Sequence, residues 1–338
     1  MASTCLCAPS GTRSPGDTRS GNVTAPHSTP REVSAVPGKP PAEIDLTPTL
    51  VHALLAEQHP DLAGLPVRWV AHGWDNATFR LGEDLAVRLP RRASAAPLVE
   101  HEQRWLGVLA ALCPVPVPAP VRTGRPGATF PWAWSVVPWF IGRHAADEPV
   151  AARTPWAGTL AEALAALHAP APAEAPVNPV RGGSLAGRSA ALAERLAGGH
   201  LDRVLPDARA RAEALWRDAL AAPAWPGPPL WLHGDPHPAN LLTHDGRLAA
   251  LLDFGDLTAG DPACDLATAW LTFDATGRAV FQARSDALAD AAGPPDPGRW
   301  RRAAGWALIM ASAMVTHGDD DPVIAAIGEH ALRDLLAG

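Results

Sequence analysis

Lysine is nearly missing from this chain. Lys39 is the single one among 28 basic side chains, so every other fixed cation is an arginine. The four cysteines are far apart except Cys5 and Cys7, and no zinc-ligand spacing occurs. That usage suits a reducing cytoplasm, and a cytoplasmic location is expected. No apolar run approaches the roughly 18 residues of a membrane span. The start, Met1-Ala2-Ser3-Thr4, lacks a basic region followed by a long apolar one, which argues against a secretory signal. Positive charge is not in excess either: 28 bases face 35 acids, for a net charge of −7. This argues against a general nucleic-acid binder.

What is present is an apolar-rich chain. With 338 residues, 47% of them hydrophobic, it holds one large domain or two modest ones. Residues 1–42 are rich in Ser, Thr, Pro and Gly without apolar periodicity. Burial there does not offset chain entropy, so a disordered leader is expected. That segment carries +2, which leaves about −9 on the remainder and suits a cationic small acceptor.

Residues 45–58 read as a helix, with Thr47 as N-cap and Leu50, Leu54 and Leu55 on one face. Short strands follow at Val67–Val70, Ala77–Leu81 and Leu85–Leu89, the last two joined by the turn Gly82-Glu83-Asp84. Helical spacing returns over 97–112, with Val99, Trp105, Leu106 and Leu109. After a proline-broken stretch, Trp132–Trp139 reads as a buried strand. Beyond residue 150 the pattern is helical, at 156–168, 185–197, 206–221, 261–274, 297–316 and 322–337. Two short strands, Leu230–Leu232 and Leu248–Leu252, interrupt it. The expected fold class is α+β and bilobal. A β-rich front lobe (43–138) precedes a helical back lobe (139–338), with a nucleotide in the cleft.

The most informative stretch is Leu232-His233-Gly234-Asp235-Pro236-His237-Pro238-Ala239-Asn240, followed by Leu251-Leu252-Asp253-Phe254-Gly255-Asp256. It sets an Asp, an Asn five residues on, and a second Asp thirteen residues beyond that. Phosphoryl transfer needs one carboxylate to orient the attacking hydroxyl, and an amide oxygen with another carboxylate to hold magnesium. The order H-R-D-x-x-x-x-N then D-F-G of protein kinases has the same spacing. Asp235 is thus the candidate base or orienter; Asn240 and Asp253 are candidate magnesium ligands. Asp256 either supports Asp253 or is simply exposed. His233 orders its loop by bonding backbone, and His237 either approaches the phosphate or acceptor or only packs. Asp261, before Pro262, reads as a helix N-cap. Asp265 reads as structural, pairing with Arg or holding the catalytic loop. A rival reading takes His233, Asp235 and His237 as part of a metallohydrolase site with His168 and His244. It leaves Asn240 and Asp253 unexplained.

The 230–270 segment resembles the aminoglycoside phosphotransferase family, within the choline kinase-like small-molecule kinases, through these motifs and Gly260-Asp261-Pro262. The resemblance extends weakly to residues 65–140. It implies a protein-kinase-like fold with a small antiparallel β-rich N-lobe and a mainly helical C-lobe. It also implies ATP, or GTP, with Mg2+ as cofactors, and phosphorylation of a small-molecule hydroxyl acceptor. By that resemblance, Gly73-Trp74-Asp75-Asn76 covers the phosphates, with backbone amides near Gly73 and Asn76. Arg88 stands where the family usually has a lysine, a departure that keeps the charge on a bulkier, forked group. Glu102, rather than Glu100, is its expected partner. Ser135–Trp139 connects the lobes and meets the adenine. Acceptor candidates in the helical lobe are the acids Asp274, Asp319, Asp320, Asp321 and Glu329. Trp270, Phe273 and Trp306 would suit an apolar acceptor instead. The missing lysine keeps open a non-catalytic nucleotide-binding module on the same fold. No nucleic-acid or membrane partner is expected, and monomer and homodimer both remain open.

Overall fold

Proline and capping chemistry set the first element. The computed structural model describes residues 41–292, 295–318 and 321–337. Residues 1–40 with Lys39, Cys5 and Cys7, and also Asp319 and Asp320, lie outside the described residues. Helix α1 (Pro48–Gln58) starts at a proline, and the Thr47 side chain accepts from the Leu50 amide at 3.2 Å. It therefore begins three residues after the sequence expectation.

Three strands follow: β1 (Val67–His72), β2 (Asn76–Leu81) and β3 (Leu85–Pro90). The turn between β2 and β3 has Gly82 at φ +60°. Helix α2 (Ala96–Leu112) then crosses to β4 (Arg122–Gly124) and β5 (Trp134–Pro138). The five strands form one antiparallel sheet in the order β1-β2-β3-β5-β4. Leu54, Leu55, Phe79, Leu81, Val87 and Trp134 are buried together in the N-lobe core. Burying each such side chain contributes about 1.5–3 kcal/mol.

The second lobe begins with β6 (Arg143–His144), then α3 (Ala157–Leu167), α4 (Ser189–Ala197) and α5 (Ala208–Leu220). Four short strands come next: β7 (Leu230–Leu232), β8 (Leu241–His244), β9 (Arg247–Leu251) and β10 (Thr258–Gly260). β7 pairs with β10, while β6, β8 and β9 make a three-stranded sheet. Helices α6 (Ala263–Leu266), α7 (Thr268–Thr272), α8 (Ala275–Ala292), α9 (Arg299–His317) and α10 (Pro322–Leu335) complete the lobe. Its core gathers Trp156, Phe273, Phe281 and Trp306 with the α9 apolar face.

The α+β class and the division into an antiparallel-sheet lobe and a helical lobe match the sequence reading. Several elements do not. The single helix expected at 261–274 is split into α6 and α7, and α8 was not legible at all. The α8 residues buried at helical spacing are Gly277, Phe281 and Ser285, so only one of the three is a large apolar side chain. Among the described residues no helix is long and apolar enough to cross a membrane.

Candidate active site

A hairpin explains why residues thirteen apart meet. β8 begins directly after Asn240 and β9 ends just before Asp253. The turn between them is Asp245-Gly246, with φ +48° and +71°, the left-handed pair that a tight hairpin requires. Leu241 faces Leu251 across the ladder, and the Leu252 amide donates to the Asn240 carbonyl at 2.8 Å. Asn240 and Asp253 therefore emerge side by side. The β8 strand was missed from sequence, although the Asp-Gly dipeptide was its signal.

The 233–240 loop is held from below by Asp265 of α6. Its carboxylate accepts from the His233 amide at 2.9 Å and the Gly234 amide at 2.8 Å. His168 Nε2 lies 3.1 Å from the same group. The His233 ring meets the Leu252 carbonyl at 2.9 Å and packs on Phe254. Gly234 has φ +90°, and a Cβ there would come within 2.2 Å of the Asp256 carbonyl oxygen. Only glycine lets the loop pass that close.

Asp235 sits on this frame with both oxygens engaged. Oδ1 accepts from Arg181 Nη2 at 3.1 Å, and Oδ2 lies 3.3 Å from His237 Nε2. Burial opposes its ionisation, but His237 and Arg181 outweigh that and hold the carboxyl well below the usual range. Asn240 Nδ2 donates to the Asp235 carbonyl at 3.0 Å, which fixes the amide plane. Asp253 has φ +55°, an uncommon backbone for a residue with a Cβ. Its Oδ1 accepts from the Gly255 amide at 3.3 Å, and its side chain is 53% exposed. Asp256 is not free surface: Asn178 Nδ2 donates to its Oδ1 at 2.7 Å.

From the first lobe, Arg88 of β3 reaches into the same place. Nη1 donates to both oxygens of Glu102 at 3.0 and 2.9 Å, and Nη2 to Asp253 Oδ1 at 3.3 Å. Glu102 is 1% exposed, whereas Glu100 lies exposed on another face of α2. Burial raises the Glu102 carboxyl above its usual range, against the pull of Arg88.

The β1–β2 loop is tied down by the end of β3. Arg91 Nη1 donates to the Gly73 carbonyl at 2.8 Å, and Arg92 Nη2 to Asp75 Oδ1 at 2.9 Å. The Gly73 amide donates to the Asn76 carbonyl at 2.9 Å and is thus committed within the loop. The Asn76 side chain is buried, and its Oδ1 has no hydrogen-bond partner among the described residues.

The remaining sequence candidates fall elsewhere. Asp274 caps α8 through the Gly277 amide, Asp321 caps α10, and Glu329 pairs with Arg333. Phe273 and Trp306 are buried in the core, at 0% and 1% exposure. Asp261 accepts from the Ala263 amide and pairs with Arg302. The histidines of the metallohydrolase reading diverge: His233 bonds backbone, His168 faces Asp265, and His244 is exposed beside Asp245. Among the described residues no three His, Cys, Asp or Glu side chains converge as a metal site. Sequence reading missed Arg181 and Asn178, which come from an irregular segment without periodicity. A cavity of about 720 Å³ between α3, α8 and the 225–230 segment is lined by none of Asp235, Asn240 and Asp253.

Solved structures share this arrangement of lobes. A GDP complex of aminoglycoside 2'-phosphotransferase-IIIa superposes with a TM-score of 0.65, at 20% identity over 86% of this chain and 99% of that one. A macrolide 2'-phosphotransferase from Brachybacterium faecium gives 0.54, at 25% identity over 85% and 97%. A ternary complex of a related enzyme with streptomycin and ATP gives 0.53 at 16% identity, over 82% and 93%. No curated protein matches the chain significantly. The model of the phosphotransferase enzyme family matches residues 67–306, from β1 through the 233–256 motifs into α9. The chain belongs to that phosphotransferase enzyme family.

Proposed function

We propose that the chain transfers the γ-phosphoryl group of ATP or GTP to a hydroxyl of a small molecule, with magnesium. The carrying observation is the convergence of Asp235, Asn240 and Asp253 with the Arg88–Glu102 pair. Structures of the same fold contain GDP or ATP, which supports nucleotide use here.

Asn240 and Asp253 suit a hard cation. Both offer oxygen, and the Asn240 nitrogen is already spent on the Asp235 carbonyl, which leaves the side-chain oxygen for a ligand. Magnesium bound there supplies charge neutralisation on the phosphates. Arg88 holds Asp253 in register, and the Arg91- and Arg92-braced loop closes over the phosphates.

In the step itself, the acceptor oxygen bonds to the γ-phosphorus. The bond from that phosphorus to the β–γ bridging oxygen breaks, and its electron pair leaves with the nucleoside diphosphate. The hydroxyl proton passes to Asp235. Because His237 and Arg181 keep this carboxyl strongly acidic, it is a weak base. Its part is to orient the hydroxyl and take the proton late. Positioning and electrostatics supply most of the rate.

A screen with γ-labelled ATP and GTP against aminoglycosides, macrolides, choline and sugars tests this. Label should pass to a hydroxyl compound only with magnesium. Asp235→Asn should fold normally and lose at least a hundredfold in turnover, about 2.7 kcal/mol of barrier. Near-normal transfer by that folded variant sinks the reading.

A further inference from the structure

The overall negative charge suits a cationic acceptor, but Arg181, which bridges Asp235 and Asp256, begins a row of arginines. The 176–183 segment straps across β10. Thr258 Oγ1 donates to the Pro176 carbonyl, and the Asp261 amide donates to the Gly182 carbonyl. A Cβ on Gly260 would lie 2.0 Å from that Gly182 oxygen, so the strap and β10 touch backbone to backbone. This seat sets the Arg181 guanidinium 3.1 Å from Asp235 Oδ1 and 3.6 Å from Asp256 Oδ2.

Two further arginines follow at intervals of seven. Arg188 is the N-cap of α4 and Arg195 lies in its last turn. Seven residues are two helical turns, so both share one face. Arg195 Nη1 is fixed by neutral acceptors of α9, the Ile309 carbonyl at 2.9 Å and Ser312 Oγ at 3.2 Å. The Arg188 side chain makes no hydrogen bond or ion pair among the described residues. Among the described residues its Nε and that of Arg181, like those of Arg92 and Arg153, are shielded from solvent without an acceptor. Such groups are disfavoured, because a buried donor without an acceptor has lost its bond to water. The three cations also feel one another. Burial and then repulsion from Arg181 lower Arg188, while burial, Arg188 and Arg181 lower Arg195. Glu194 is the acid that offsets this at Arg195.

We propose that the acceptor carries an anionic group, a carboxylate or a phosphate, held by Arg188 and Arg195 while Arg181 lies beside its reacting hydroxyl at Asp235. The proposal rests on the phosphotransferase reading and names the substrate class of that site. Arg181 is neutralised by Asp235 and Asp256, but a polycation entering here would set ammonium groups against Arg188 and Arg195, and like charges so placed disfavour binding. The direction of selectivity is therefore opposite to that of an aminoglycoside-binding cleft.

Residue-specific labelling tests it. The full chain, with Mg-ADP present, is treated with phenylglyoxal, and modification of Arg188 is followed by peptide mass spectrometry. The probes are glycerate, glycerol 3-phosphate, glycerol and kanamycin, at tens of millimolar and constant ionic strength. At least one anionic probe should slow Arg188 modification fivefold or more relative to glycerol, and kanamycin should not. Protection by glycerate alone marks a carboxylate site; protection by glycerol 3-phosphate alone marks a phosphate site. Arg188→Gln, with unchanged Tm and Mg-ATP affinity, should raise KM for the protecting probe at least tenfold. Equal modification with all four probes, or protection by kanamycin only, overturns the proposal. Calorimetry of Mg-ATP binding in the same preparation separates the two ideas. Absent nucleotide binding defeats the phosphotransferase reading, whereas nucleotide binding without Arg188 protection defeats the anionic acceptor alone.

Discussion

Asp235 shows how few atoms set the charge state of a buried carboxylate. It is a buried carboxylate, and burial alone would push it toward the neutral acid. His237 and Arg181 reverse that. Because its folded value is depressed, its contribution to stability is full above the ordinary carboxyl range near 3.9. That contribution is lost only as pH falls through the much lower folded value. Arg181→Gln removes the permanently charged group that opposes burial, so the Asp235 carboxyl should rise. The acid limb of the pH profile of kcat should then move to higher pH, and kcat at neutral pH should fall about tenfold, from loss of a charge-assisted bond. An unmoved acid limb in a folded Arg181→Gln variant would show that Arg181 does not tune Asp235. Asp235, Asn240 and Asp253 were legible from sequence because their spacing is local and chemically specific. Arg181 was not, since it meets Asp235 across 54 residues from a strap with no periodic pattern.

Elements rather than single residues carry the placement of the site. The β8–β9 hairpin sets Asn240 against Asp253, and the first turn after β10 sets Asp265 under the loop. Asp265 accepts two backbone N–H groups and faces His168, all in a buried setting. Asp265→Ala should therefore cost about 3 kcal/mol or more, since each bond to a charged acceptor contributes about 1.5–3 kcal/mol and the freed amides are left unsatisfied. Urea unfolding measures this, and a loss under 0.5 kcal/mol would refute the loop-holding role. Helices such as α3, α9 and α10 were legible because large apolar residues recur on one face. The α8 stripe of Gly277, Phe281 and Ser285 lacks that signal, and its place is set by packing on α3. The β8 strand is four residues long and was hidden by the motif that precedes it.

At the scale of the molecule, α2 belongs to both lobes. Its Glu102 faces Arg88 of the sheet, while Leu106 and Leu109 are buried with Trp156 and Leu164 in the helical lobe's core. Arg88 extends this link to Asp253, so one guanidinium ties sheet, helix and hairpin. A lysine has one nitrogen with three donors and no fork, and does not span two carboxylates in this way. The departure from lysine thus favours a braced cleft. Removing one partner of a buried pair leaves an uncompensated charge and costs about 3–5 kcal/mol, whereas replacing both by apolar groups is close to neutral. Arg88→Met should accordingly lower unfolding free energy by about that amount, and Arg88→Met with Glu102→Leu should recover most of it. Mg-nucleotide affinity is the discriminating measurement. If the pair served only to hold the fold, affinity would return with stability in the double variant. The bond to Asp253 predicts otherwise: affinity stays reduced in both variants, because the hairpin carboxylate has lost the group that holds it in register.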